Sequence, residues 1–217
     1  MIGESEATLG PGSRHHRGID TKLKEFDMPK ITAAPIALIA SLLTLAVPGL
    51  ASAADMTPAT ALAATAGEWR GELQYRDYQS DRWEGLPMTV AVVAQPDGVT
   101  TLRTAQFDDG PKAGMVTITT ATIVDPARGT AGYAMLRKGR AVDAGEARVT
   151  SFVPGADAAH WTLVTQERRQ DGDGMAQVRE TTVRDGDNLT TTKDVDPEGD
   201  GKTGWLPRNR TVLKRIG

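Results

Sequence analysis

Downstream of residue 53 the chain holds one histidine, His160. It sits beside Trp161 in a run of alternating character, on the opposite face from Trp161 and Leu163. One imidazole suffices as an axial haem ligand in some pockets. The plainer reading is a hydrogen-bonded strand residue, and no multi-histidine metal site can be assembled. The stretch Asp194-Val195-Asp196-Pro197-Glu198-Gly199-Asp200 places oxygen atoms at alternate positions with glycine at the bend, like the front of a calcium loop. Where a bidentate glutamate should close that shell stands Trp205, so the expectation is an acidic connection between strands. Asp171-Gly172-Asp173-Gly174 reads as a hairpin tip. Ser80 and Ser151 lack a nucleophile-elbow context, and no glycine-rich phosphate loop opens a helix. Carboxylates are plentiful, but no spacing isolates an acid/base pair. With no cysteine, a disulfide framework, thiolate metal site, cysteine nucleophile and cysteine-linked lipid are excluded. No metal and no cofactor is assigned.

The chain has 217 residues, 25 Lys+Arg and 28 Asp+Glu, for a formal charge of -3. That balance argues against a nucleic-acid partner, which a basic stripe would serve. Residues 36–47 form an uncharged apolar run, preceded by Lys30, broken at Pro48-Gly49 and followed by Ala51-Ser52-Ala53. A basic flank, a short apolar core and a small-x-small site describe a secretory signal peptide. About 18 apolar residues are needed to span a bilayer, so no stable membrane anchor is expected. Cleavage after Ala53 would deliver the product to the periplasm or the extracellular space. Met28-Pro29-Lys30 reads as a natural start, which makes residues 1–27 a mis-assigned extension; a long n-region is the alternative. The expected organisation is therefore a signal peptide over 28–53, a short helix or linker over 54–66, and one domain over 67–217.

Those chemical groups must be carried by strands. Thr57 suits an N-cap and Pro58 a first helical position, with Ala59 to Ala66 supplying about two turns. From Trp69 onward, short runs of Val, Thr, Leu, Tyr and Trp alternate with period two. Turn-forming pairs separate them, among them Asp97-Gly98, Gly110-Pro111, Lys138-Gly139, Pro154-Gly155 and Asp185-Gly186. The spacing predicts strands near 68–78, 86–95, 99–107, 114–124, 130–137, 146–153, 159–169, 175–184, 187–194 and 206–215. Tight links between neighbours favour an all-β, antiparallel up-and-down β-barrel of about 8–10 strands with a short N-terminal helix. Leu, Ile, Val and Phe are scarce and Ala and Thr abundant, so many inward residues must be small. They leave either a narrow packed core or a lumen with space in it.

In Gly67-Glu68-Trp69-Arg70-Gly71-Glu72-Leu73-Gln74-Tyr75, the residues Trp69, Gly71, Leu73 and Tyr75 share one strand face. A Trp at the strand's start can plug a barrel end, and Gly71 permits a bend and close approach. This Gly-x-Trp with a following Gly resembles the first strand of the calycin group, the lipocalins and fatty-acid-binding proteins; Tyr75-Arg76-Asp77-Tyr78 is similar to exported bacterial proteins. The resemblance implies a helix before the motif and a last-strand arginine over Trp69, for which Arg208 and Arg210 are the candidates. It also implies a small, partly apolar ligand in the lumen, with Tyr75, Tyr133 and Trp161 proposed to line it. Tyr78, Trp83 and Trp205 are placed to rim an opening. An envelope enzyme on a barrel scaffold, or an interaction module using an outer sheet face, are the alternatives.

Overall fold

The computed structural model describes residues 56–216 apart from 78 and 173. The expected signal peptide, its cleavage site and Tyr78 lie outside the described residues. Ten antiparallel strands follow one another around a closed barrel. They are β1 (Gly67–Asp77), β2 (Arg82–Ala94), β3 (Thr100–Asp108), β4 (Met115–Asp125), β5 (Thr130–Arg137), β6 (Asp143–Pro154), β7 (His160–Asp171), β8 (Gly174–Asp185), β9 (Asn188–Pro197) and β10 (Leu206–Ile216). Each pairs with its sequence neighbours, and β1 closes the ring against β10. Closure satisfies every strand edge, which an open sheet of this size would leave exposed.

Two short helices are added. α1 (Pro58–Ala63) starts at the predicted N-cap, where Thr57 and Thr60 exchange side-chain and backbone hydrogen bonds in a capping box. It ends earlier than the alanine run suggested, with Ala64 as C-cap. α2 (Gly110–Ala113) is a single turn between β3 and β4, where the sequence predicts only a turn. The β8–β9 link is a two-residue loop, and Gly186 within it has φ 60°. A primed hairpin turn requires such a value at its first corner, and only glycine adopts it freely.

Closing the ring demands one unusually close approach. Gly71 on β1 lies opposite Leu213 on β10. A Cβ built on Gly71 would fall 1.9 Å from the Val212 carbonyl oxygen. The seam is therefore narrow because residue 71 has no side chain.

The larger packed core starts beneath α1, where Trp69, Trp161, Leu163, Leu189 and Leu213 are buried with Ala61 of the helix, and it runs through Val90 and Met88 to Phe107 and Val116 at the far ends of β3 and β4. A smaller buried group, Ala176, Val178 and Val195, belongs to β8 and β9. Between them the inward positions turn polar, and that change of character defines the site.

Candidate functional site

Strand alternation decides what faces the lumen. On β3 the buried residues Thr101, Ala105 and Phe107 put Arg103 on the same inward face. Register carries that face to Ile118, Thr120 and Thr122 on β4, and then to Tyr133 and Met135 on β5. On β7, β8 and β9 it comprises Thr165, Glu167 and Arg169; Val178, Glu180 and Thr182; and Thr191, Lys193 and Val195. Three layers result.

The closed layer is built around Trp69, which is 0% exposed. Its indole N–H donates to the Thr65 carbonyl at 2.9 Å. Two guanidinium groups flank the ring, with Arg215 5.4 Å and Arg184 5.6 Å from the centroid. Each is held by the chain leaving α1: Arg215 donates to Ala66 O at 2.6 Å, and Arg184 Nη1 to Ala64 O. The indole ring thus receives cation–π contacts while the cations satisfy carbonyls that α1 leaves open. Burial and the neighbouring Arg215 both lower the Arg184 pKa.

The middle layer is a band of hydroxyls. Thr120, Thr122, Thr165, Thr182, Thr191 and Thr211 face inward yet keep part of their surface accessible. They form the most polar stretch of the barrel interior. Arg103 and Glu180 stand in the same band. Among the described residues neither has a hydrogen bond or an ion pair. Burial lowers the Arg103 pKa and the field of Glu180 opposes that shift.

The mouth layer is charged and internally paired. Tyr133 reaches across β6 to Glu167, with its hydroxyl 3.0 Å from both carboxylate oxygens. That reach depends on Gly145, where a Cβ would sit 2.7 Å from the phenol oxygen. Arg169 Nη1 donates to the same phenol at 3.2 Å and approaches Asp143 at 3.4 Å. Burial pushes the Tyr133 phenol up to about 12, Arg169 pulls it down, and Glu167 raises it further. At neutral pH Tyr133 is therefore a proton-bearing donor and a poor base. Nearby, Asp171 accepts from Lys193 at 2.6 Å and pairs with Arg208 at 2.8 Å. Arg137 lies 3.5 Å from Asp109, and Tyr75 stands at the rim, 44% exposed. Burial and Asp109 raise the Tyr75 pKa against the pull of Arg137.

The predicted site residues fall in different layers. Tyr75 and Tyr133 face inward towards the end opposite α1, whereas Trp161 is only 3% exposed in the cluster beneath the helix, its indole N–H donating to Ala158 O. Trp69 is the closing plug. Arg208 and Arg210 lie far from it along β10: Arg208 pairs with Asp171, and Arg210 stacks over Trp83, 4.3 Å from the centroid, while donating to Gln74 on the outer face. Among the described residues, the cations over Trp69 are Arg184 and Arg215. Trp205 covers Arg179 on the outside of the barrel, and Arg179 in turn pairs with Asp194 at 2.9 Å.

His160 is on the outward side of β7, with Nδ1 2.7 Å from Asp157 and Nε2 3.6 Å from Asp185. The acidic loop is used up locally. Glu198 grips Arg168, Asp196 accepts from Gly204, and Asp200 from Lys202. Among the described residues no cluster of three or more acidic or histidine side chains is placed to hold a metal ion.

Sequence reasoning passed over Arg103, Glu180, Arg184 and Arg215. A signal existed for the first two: each interrupts an inward run of small or apolar residues, Thr101-x-Arg103-x-Ala105-x-Phe107 and Ala176-x-Val178-x-Glu180-x-Thr182.

No family model matches this sequence, and no curated protein matches it. Among solved structures, the crystal structure of Rv2717c from M. tuberculosis is similar, with a TM-score of 0.51 and 17% identity over 75% of this chain and 100% of that chain. At that identity the likeness concerns the fold alone.

Proposed function

We propose that this protein is exported and binds a small, partly apolar molecule in its lumen, admitted through the end opposite α1. One observation carries the reading: inward threonines that stay accessible around Arg103, between an apolar floor and a charged rim. The floor offers hydrocarbon contact, the band offers hydroxyls and one free guanidinium, and few polar groups over apolar walls is the usual make-up of a ligand site. The partly apolar character of the guest follows from that floor. Its polar part follows from the band.

The test uses 8-anilinonaphthalene-1-sulfonate, an aromatic anion that brightens in apolar surroundings. Saturable binding is expected, and T120W, which fills the band without altering the outside, should weaken it at least tenfold. Undiminished binding by T120W, or no saturable binding by the wild type, refutes the reading.

A second reading has its own support. From β2 to β5 the outer face carries no charge between the strand ends, and Val93, Leu102, Ala121 and Ala134 lie in one cross-strand row. Val93, Leu102, Ile123 and Leu136 are exposed there. Four strands at about 4.8 Å and about seven residues at about 3.3 Å span roughly 450 Å², close to half of one partner's share in a standard interface. A second copy fits best, because a two-fold contact through an uncharged face brings no like charges together. Sedimentation equilibrium should show a weak, concentration-dependent dimer that L102E abolishes. A monomer at every concentration removes this reading.

A further inference from the structure

Two charges inside the barrel, Arg103 and Glu180, make no ion pair or hydrogen bond with a described residue, and they define the guest more narrowly. Every other ionised side chain at the luminal mouth named above is claimed. Arg169 is held by Tyr133 and Glu167, Lys193 and Arg208 by Asp171, and Arg137 by Asp109. Lys193 is informative, because register places it directly opposite Glu180. Its ammonium nevertheless turns to Asp171 at 2.6 Å, away from the nearer strand partner. Arg103 faces inward from β3 opposite Thr120, while Glu180 faces inward from β8 opposite Thr165. Neither makes a direct ionic or hydrogen-bonded contact with a described residue.

A charge taken into a barrel and left without a partner is costly, and proteins pair such groups unless something else does so. Here the two groups are of opposite sign, and the field of Glu180 reaches Arg103 and, across the lumen wall, Arg169 as well. A purely anionic guest would match Arg103 but bring like charge towards Glu180. A purely cationic guest would meet the converse repulsion from Arg103. A guest bearing both charges satisfies both groups and leaves the lumen neutral. The surrounding threonine hydroxyls, able to donate or accept, suit the remaining atoms of such a head group.

We propose that the luminal ligand is a small zwitterion with an apolar tail, whose carboxylate or comparable oxyanion is held by Arg103 and whose protonated amine is held by Glu180. This rests on luminal binding as proposed above, and it assigns Arg103 and Glu180 as the residues that set specificity.

The experiment compares three molecules with similar tails, 2-aminooctanoic acid, octanoate and octylamine, by calorimetric titration of the mature protein at pH 7 and low salt. The zwitterion is expected to bind at least tenfold more tightly than either relative. R103Q should lose the advantage over octylamine, E180Q the advantage over octanoate, and R103Q/E180Q should bring all three within about threefold. Equal affinity of the zwitterion and either relative in the wild type overturns the proposal, whatever the variants do. If none of the three binds while anilinonaphthalenesulfonate still enters the lumen and T120W excludes it, the zwitterion is refuted and luminal binding survives. If T120W excludes nothing, both fall. The wild-type preference needs no variant to fold, and melting curves of R103Q and E180Q show whether their losses are specific.

Discussion

Replacing Gly71 by alanine tests whether barrel closure depends on that single missing side chain. The new Cβ would lie 1.9 Å from the Val212 carbonyl oxygen and 2.9 Å from the Leu213 Cα. An ordinary contact of carbon with oxygen is well over an ångström longer, and both obstacles are backbone, so no rotamer change relieves the overlap. β1 and β10 must separate locally. Overpacking of this kind costs about 1–3 kcal/mol, and each ladder hydrogen bond that lengthens forfeits about 0.5–1.5 kcal/mol. Together these suggest a loss of about 3 kcal/mol, a large part of the roughly 5–15 kcal/mol by which domains are stable. At about 2–4 °C per kcal/mol for a chain of this size, the midpoint should fall by roughly 6–12 °C. The control is G132A on β5, whose Cβ would meet nothing nearer than the Ile123 carbonyl oxygen at 3.9 Å. That change should be neutral or stabilise by about 0.4–1 kcal/mol, because alanine restricts the unfolded chain. Urea unfolding followed by tryptophan fluorescence measures both. Equal midpoints for G71A and G132A would refute the claim that the seam is set by a steric requirement at residue 71.

Three further outcomes are expected. The Tyr133 phenol is raised to about 12, above its ordinary value of 10.0, so the stability it contributes is complete below pH 10 and disappears as pH rises towards 12. Unfolding free energies of wild type and Y133F across pH 8.5–11.5 should converge at the alkaline end, and parallel curves would contradict this. Asp171 shows the opposite sign: burial raises its pKa, but Lys193 and Arg208 outweigh burial and hold it below 3.8. Its contribution is therefore present above that value and lost as pH falls through the depressed one, so K193M should cost stability at pH 6 and little at pH 2. R215M keeps the aliphatic stem but removes the bond to Ala66 O and the cation over Trp69; it should cost about 2 kcal/mol, by the worth of a charged hydrogen bond and an aromatic–cation contact. R208Q, removing a side chain 41% exposed at the opposite end, should cost less than about 1 kcal/mol in urea unfolding. A larger loss for R208Q would return the closing role to that arginine.

Strand periodicity was legible because it is local. Alternation along the chain and the glycine, proline and aspartate turns placed ten strands within a few residues of where they lie, since each signal is satisfied by a residue and its immediate neighbours. Thr57 and Pro58 marked the helix start for the same reason. Local signals did not locate the ends of β6 and β9, which run to Asp143 and Pro197 past the predicted limits. Those extensions are supported by pairing with β5 and β8 rather than by their own composition.

Residue type and alternation were enough to establish an all-β chain of small inward side chains, a tryptophan poised to plug one end and a glycine beside it. Which arginines reach that tryptophan was decided by the closed ring, because β1 meets β10 with Trp69 opposite Arg215, and β8 brings Arg184 in from the side. Arg210 pairs with Gln74 on the outer face of β10, so in this register it stays away from Trp69. The charged groups inside the barrel, too, belong to the tertiary level. Composition permits either a filled or a vacant interior, and only the packing of ten strands reveals Arg103 and Glu180 facing one lumen from β3 and β8, separated by 77 positions of sequence that carry no trace of their proximity.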